Sequence, residues 1–205
     1  MAANQPRLIH ALHPAAPAAQ SPRLMAASFP STLVLGGARS GKSRLAETMA
    51  RETGLARVYI ATAQALDEDM AERIARHRAD RGAGWTTVEV PLDLAAAVST
   101  HAASGRILLI DCLTLWLSNI MLAERDIDRE TAVLIEALRA LGAPAIVVSN
   151  EVGLGIVPDN ALARRFRDVQ GRLNQAVAAA LPRVIFIAAG LPLALKGALP
   201  SADGR

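Results

Sequence analysis

Eight consecutive residues, Gly36-Gly37-Ala38-Arg39-Ser40-Gly41-Lys42-Ser43, make a complete GxxxxGK[ST] phosphate loop. Glycines at that spacing let backbone N–H groups turn inward around phosphate oxygens at a helix N-terminus. Lys42 is expected to reach the β- and γ-phosphates, and the Ser43 hydroxyl to bind Mg²⁺. Only two of the chain's 22 basic Lys and Arg residues are lysines. One of them stands where a compact ammonium serves better than a planar fork.

Three further stretches carry chemically useful groups. Ile107-Leu108-Leu109-Ile110-Asp111 is an apolar run ending in a carboxylate, and behind a phosphate loop such an Asp completes the Mg²⁺ shell directly or through water. Without the loop it would read as a turn or helix-capping residue. Arg73, His77 and Arg81 are spaced i, i+4, i+8 and fall on one helical face. An imidazole between two guanidiniums is expected to be neutral and nucleophilic, with the arginines attracting a polyphosphate. The bland reading of the same residues is a solvated basic face with an incidental histidine. Ser149-Asn150-Glu151 and the glycine-punctuated segment through Asn160 predict a tight loop at the ligand-facing edge, in which chemistry alone gives Asn150 and Glu151 no role.

These groups need a scaffold that brings strand ends together. Short apolar runs at Thr32–Gly36, Arg57–Ala63, Arg106–Cys112, Ala145–Ser149 and Val184–Ala188 predict parallel strands covered on both faces. Helical periodicity falls between them, at Lys42–Thr53, Asp67–Arg81, Leu92–Ala103, Leu113–Glu124, Arg129–Leu141 and Asn160–Leu181. In the last of these, Leu162, Phe166, Val169, Leu173 and Val177 form one apolar stripe. The alternation predicts a doubly wound α/β domain over residues 32–205, with ligands at the carboxyl ends of the strands. Residues 1–31 hold five of the eleven prolines and no sustained period, which predicts a disordered Ala/Pro-rich extension. His10 and His13 within it lack further ligands and are expected to be tail residues, and Met25 is a candidate alternative start.

Composition removes several classes. The net charge is +3, but residues 1–31 contribute Arg7 and Arg23 and no acid, leaving the body with 20 basic and 19 acidic residues. A near-neutral body with 3% aromatic residues argues against a nucleic-acid partner. The single cysteine, Cys112, excludes an internal disulfide and a multi-cysteine zinc cluster, and it suits a reducing cytoplasm. Val184–Leu195, the longest apolar stretch, is interrupted by Gly190 and Pro192 and is too short to span a bilayer.

The segments GGARSGKS, YIATAQALDEDMAERIARHR, ILLIDCLTLWLSN, VSNEVGLGIVPDNALARRFRDVQGRLNQ and GLPLALK together resemble the bifunctional adenosylcobinamide kinase/adenosylcobinamide-phosphate guanylyltransferases of cobalamin assembly. The resemblance covers residues 32–197 or thereabouts. It implies a RecA-like P-loop fold, a mostly parallel sheet with helices on both faces, and a cytoplasmic homotrimer. It implies nucleotide contacts from residues 36–43, from Ala61, Thr62 and Ala63, from Arg78, Ala79, Asp80 and Arg81, and from Glu89 and Asp111. His77 corresponds to the guanylylated histidine, and Lys42 and His77 would be catalytic. Ser43 and Asp111 would hold Mg²⁺, and ATP and GTP would be substrates alongside adenosylcobinamide and its phosphate. In this chain Arg76 stands where family members often have a first histidine, leaving His77 alone. Asp111 replaces a frequent Glu and is one methylene shorter. Two other readings compete: a P-loop small-molecule kinase with one activity, and a RecA-like nucleic-acid ATPase.

Overall fold

Continuous runs of β-branched and other apolar residues can be buried on both faces only inside a sheet sandwiched by helices. That is how the chain folds. The computed structural model describes residues 29–65 and 67–200, which contain seven strands and six helices. In chain order these are β1 (Thr32–Gly36), α1 (Lys42–Glu52), β2 (Ala56–Ala61), α2 (Glu68–Arg81), β3 (Trp85–Glu89), α3 (Leu94–His101) and β4 (Arg106–Asp111). There follow α4 (Leu113–Leu122), α5 (Ile127–Arg139), β5 (Ala145–Asn150), α6 (Ala161–Ala180), β6 (Arg183–Ala188) and β7 (Leu191–Lys196). The expectations for residues 1–28, with His10, His13 and Met25, and for 201–205 lie outside the described residues. Phe29–Ser31, expected within the extension, are attached to the body. Phe29 packs on the core, and the Ser31 hydroxyl accepts from the Ala145 N–H at 3.0 Å.

The sheet order is β3-β2-β4-β5-β1-β6-β7, parallel throughout except for β7. Its two faces are covered unequally. Leu33, Leu35, Val58, Ile60, Leu108, Ile110, Ala145 and Val147 pack beneath α3, α4, α5 and α6. Val34, Tyr59, Ile107, Leu109, Ile146, Val148, Ile185 and Ile187 face the other way, where Ala46, Met49 and Ala50 of α1 cover them.

Each predicted strand and helix is present, with ends shifted by a residue or two as capping dictates. The Asp67, Asp126 and Asn160 side chains accept from Met70, Arg129 and Ala163 N–H groups and so start α2, α5 and α6. Two strands were not expected, and both lie at sheet edges. The β3 segment is only half-buried, so its apolar signal is weak. The β7 segment contains Pro192, which an edge strand tolerates. The predicted α6 stripe is buried at Val169, Leu173 and Val177, but Leu162 in the first turn of α6 is exposed. No described helix is long and apolar enough to cross a membrane.

Candidate active site

Parallel pairing aligns the carboxyl ends of five strands along one edge. Glu89 lies opposite Ala61, Ala61 opposite Asp111, Asp111 opposite Val148, and Asn150 opposite Gly36. The strand bearing Asp111 is not the neighbour of the one feeding the phosphate loop, because β5 lies between them. Helix α1 spans this gap by packing across both β4 and β5.

The loop between β1 and α1 is shaped by backbone that most side chains would forbid. Gly36 has φ +153°, and a Cβ there would collide with the Ile187 carbonyl and come within 2.8 Å of the Ser40 hydroxyl. Arg39 takes φ 56° and Gly41 φ 102°. Gly41 is the N-cap of α1 and offers no side-chain acceptor, so the first N–H groups of this helix are left to a ligand. Lys42 is 7% exposed, and its ammonium folds back to donate to the Gly37 carbonyl at 2.6 Å. Burial holds its pKa below the usual lysine value, opposed by the acids Cys112 and Asp111 beside it. Ser43 and Gly37 are half-buried, whereas Ala38 and Arg39 are exposed.

At the end of β4, one Asp111 carboxylate oxygen accepts from the Tyr59 hydroxyl at 3.1 Å. Cys112 is buried, as expected, and burial raises its thiol pKa to about 11. Thr62 is also buried: its hydroxyl donates to the Cys112 carbonyl and accepts from the Cys112 N–H, both at 2.8 Å. Asn119 of α4 donates to the Thr62 carbonyl at 2.8 Å. Of Ala61, Thr62 and Ala63, only the two alanines therefore remain partly exposed. Glu89 is exposed at the end of β3.

Helix α2 presents His77, Arg78, Ala79 and Asp80 to solvent. Arg81, one turn further along the same face, does not reach solvent as His77 does. It is 5% exposed, and its guanidinium lies 3.5 Å from the centroid of the Tyr59 ring. Glu47 of α1 faces the same region. Burial pushes its carboxyl pKa up, while Arg51, Arg81 and His77 pull it down.

The loop after β5 acquires its structural roles here. Glu151 donates its N–H to the Gly36 carbonyl at 3.0 Å, joining this loop to the phosphate loop. The main chain of Asn150 is held between the Thr114 hydroxyl at 2.8 Å and the Asn174 amide at 3.0 Å. Behind it, Gln170, Ser149 and Asn174 form a buried polar cluster. In sequence, Tyr59, Glu47, Thr114 and Asn119 each sit inside an ordinary strand or helix pattern, which gives them no site signature of their own. The one local signal is a hydroxyl-bearing aromatic, Tyr59, in the middle of an aliphatic strand.

The family described as cobinamide kinase / cobinamide phosphate guanyltransferase matches residues 32–195. The bifunctional adenosylcobalamin biosynthesis protein CobP of Pseudomonas aeruginosa is 56% identical over 167 residues, covering 80% of this chain and 96% of that protein. The bifunctional protein CobU of Salmonella typhimurium is 40% identical over 179 residues, covering 80% and 98%. Among solved structures, a type III secretion ATPase aligns with a TM-score of 0.50 at 14% identity, over 80% of this chain and 56% of that one. This last likeness concerns the fold alone, which is of the P-loop, RecA-like kind.

Proposed function

Because the chain belongs to the cobinamide kinase / cobinamide phosphate guanyltransferase family, we propose that one phosphate loop serves two successive reactions. In the first, the terminal hydroxyl of adenosylcobinamide attacks the γ-phosphorus of ATP or GTP. The bond to the β–γ bridging oxygen breaks, the nucleoside diphosphate leaves and the hydroxyl proton is released. Lys42 neutralises charge on the transferring phosphoryl group, and the open N-terminus of α1 receives the phosphates. In the second, a His77 ring nitrogen attacks the α-phosphorus of GTP and expels pyrophosphate. The phosphate of adenosylcobinamide phosphate then attacks the same phosphorus, the P–N bond breaks, and adenosylcobinamide-GDP is released. Covalent catalysis divides a difficult transfer into two displacements.

The donor set suits Mg²⁺. Ser43 and Asp111 offer hard oxygen ligands, and the described residues contain no group of three or more His, Cys, Asp or Glu that would form a protein cage. An ion sharing its shell with phosphate and water needs only one or two protein ligands. When bound it would neutralise charge on the phosphate oxygens, while this chain's part is to fix the two oxygens and the ammonium.

The observation that carries the reading is the phosphate loop with its buried Lys42, set at the same strand edge as Asp111 and within a family match spanning nearly the whole body. The test is to treat the protein with α-labelled GTP and map the adduct by mass spectrometry. An acid-labile, base-stable GMP adduct on His77 is expected. His77→Ala should lose it and guanylyl transfer together, yet keep a measurable share of phosphoryl transfer. A GMP adduct on another residue, or none during turnover, would leave the single-activity kinase as the better reading. The homotrimer implied by the resemblance is part of the proposal, and light scattering would count the subunits.

A further inference from the structure

Helix α2 carries the proposed nucleophile yet is scarcely packed. Met70 and Ile74 are half-buried, and His77 and its neighbours are exposed. Among the described residues, no other strand or helix shares an extended packing face with it. Its attachment is concentrated at the last residue, Arg81, and two glycines with positive φ follow, Gly82 at 67° and Gly84 at 85°. A helix built this way takes its position from its one buried end.

That end rests on Tyr59. The Arg81 guanidinium lies 3.5 Å from the ring centroid and 3.5 Å from the Thr87 hydroxyl. The Arg81 carbonyl accepts from Arg51 at 2.8 Å, and Arg51 pairs with Glu47 at 3.4 Å, so the last turn of α2 is also tied to α1. Tyr59 itself has little freedom. It is 8% exposed and meets the Trp85 ring edge-on, with centroids 6.1 Å apart. A desolvated cation over an aromatic face is held far better than one in water. The same side chain ends in the hydroxyl that donates to Asp111.

We propose that Tyr59 is a positioning residue shared by both reactions: its hydroxyl aims the Asp111 carboxylate, and its ring, through Arg81, holds the helix that carries His77. The assignment of consequences to each reaction rests on the proposed function, whereas the anchoring of α2 does not. The two parts separate by substitution. Tyr59→Phe keeps the ring and removes the hydroxyl. Tyr59→Leu removes both.

Three readouts on the full chain test this. The first is amide hydrogen exchange of residues 68–81 without nucleotide. The second is the Mg²⁺ concentration giving half-maximal phosphoryl transfer, and the third is the single-turnover rate of GMP adduct formation. Tyr59→Phe should exchange like the wild type while needing roughly tenfold more Mg²⁺, as expected when a carboxylate ligand loses its orienting partner. Tyr59→Leu should exchange faster throughout α2 and form the adduct at least about tenfold more slowly than Tyr59→Phe, the cost of a misplaced reacting group. Arg81→Met tests the same anchor with the aromatic pair intact, should Tyr59→Leu fail to fold, and should likewise speed exchange. Wild-type exchange in α2 of Tyr59→Leu or Arg81→Met would overturn the anchor. An unchanged Mg²⁺ requirement in Tyr59→Phe would overturn the role of the hydroxyl. If the wild type forms no GMP adduct, the functional reading fails, while the exchange comparison still decides the anchor.

Discussion

Lys42 and Glu47 lie a turn and a half apart on one helix, and each is held against its preferred charge state. Burial disfavours the Lys42 ammonium, whose one hydrogen bond among the described residues goes to Gly37. A charge kept in such a place serves a ligand rather than the apo fold. Lys42→Met should therefore reduce phosphoryl transfer by on the order of 100-fold or more, the cost of removing a transition-state charge contact. The same variant should leave the melting temperature of the nucleotide-free protein unchanged or higher, as scanning calorimetry would show. Glu47 offers the pH-dependent counterpart. Its folded-state pKa is raised, chiefly by burial, so the native state holds that proton more tightly than the unfolded chain does. The associated stability is full at low pH and is lost as pH rises through the folded pKa. Glu47→Gln, neutral at every pH, should match the wild type in acid and become relatively more stable as pH rises toward neutrality. A Gln variant that loses stability as pH rises would show that the ion pair with Arg51 outweighs the desolvation.

At the scale of elements, the second lysine is as telling as the first. Lys196 at the end of β7 reaches the carbonyls of Ala178, Ala179 and Leu181 at 3.0, 3.3 and 2.7 Å. Three carbonyls converging on one point at the end of α6 suit a compact ammonium with three donors, and a cation there also complements the helix dipole. The antiparallel return of β7 thus caps the longest helix of the fold. Lys196→Met should cost about 1 kcal/mol, seen as a fall of about two to four degrees in melting temperature. Lys196→Arg should recover only part of this, because a planar fork cannot address the three acceptors together. Full recovery would mean that charge alone sets the cap.

At the scale of the molecule, the sheet has four helices on one face and the phosphate-loop helix on the other. Phe29 packs against the core of the less covered face and also lies under the Arg183 guanidinium, which is 5.5 Å from its ring centroid. Removal of residues 1–28 should leave the melting temperature unchanged. Extending the deletion through Ser31 should lower it by several degrees, since it strips Phe29 from the core and the Ser31 acceptor from Ala145, together worth about 1–2 kcal/mol. Thermal denaturation of the two truncated proteins decides between them. Equal stability would mean that these residues add nothing to the body.

Local physics explains what the sequence by itself determined. The phosphate loop depends on glycine freedom and one ammonium within eight residues, and it is legible because every requirement is local. The buried strands and capped helices are legible for the same reason: continuous apolar runs, 3.6-residue periods and Asp or Asn caps act over one or two turns. Only the tertiary structure decided what depends on residues distant in the chain. The edge strands β3 and β7 gain their hydrogen bonds from neighbours and carry weak patterns of their own. The path from Glu47 through Arg51 and Arg81 to Tyr59 and Asp111 draws on α1, α2, β2 and β4. Arg81 and His77 show the limit most clearly. They are one helical turn apart and similar in sequence terms, yet Arg81 is buried and His77 exposed, because the aromatic ring that receives the guanidinium comes from another strand.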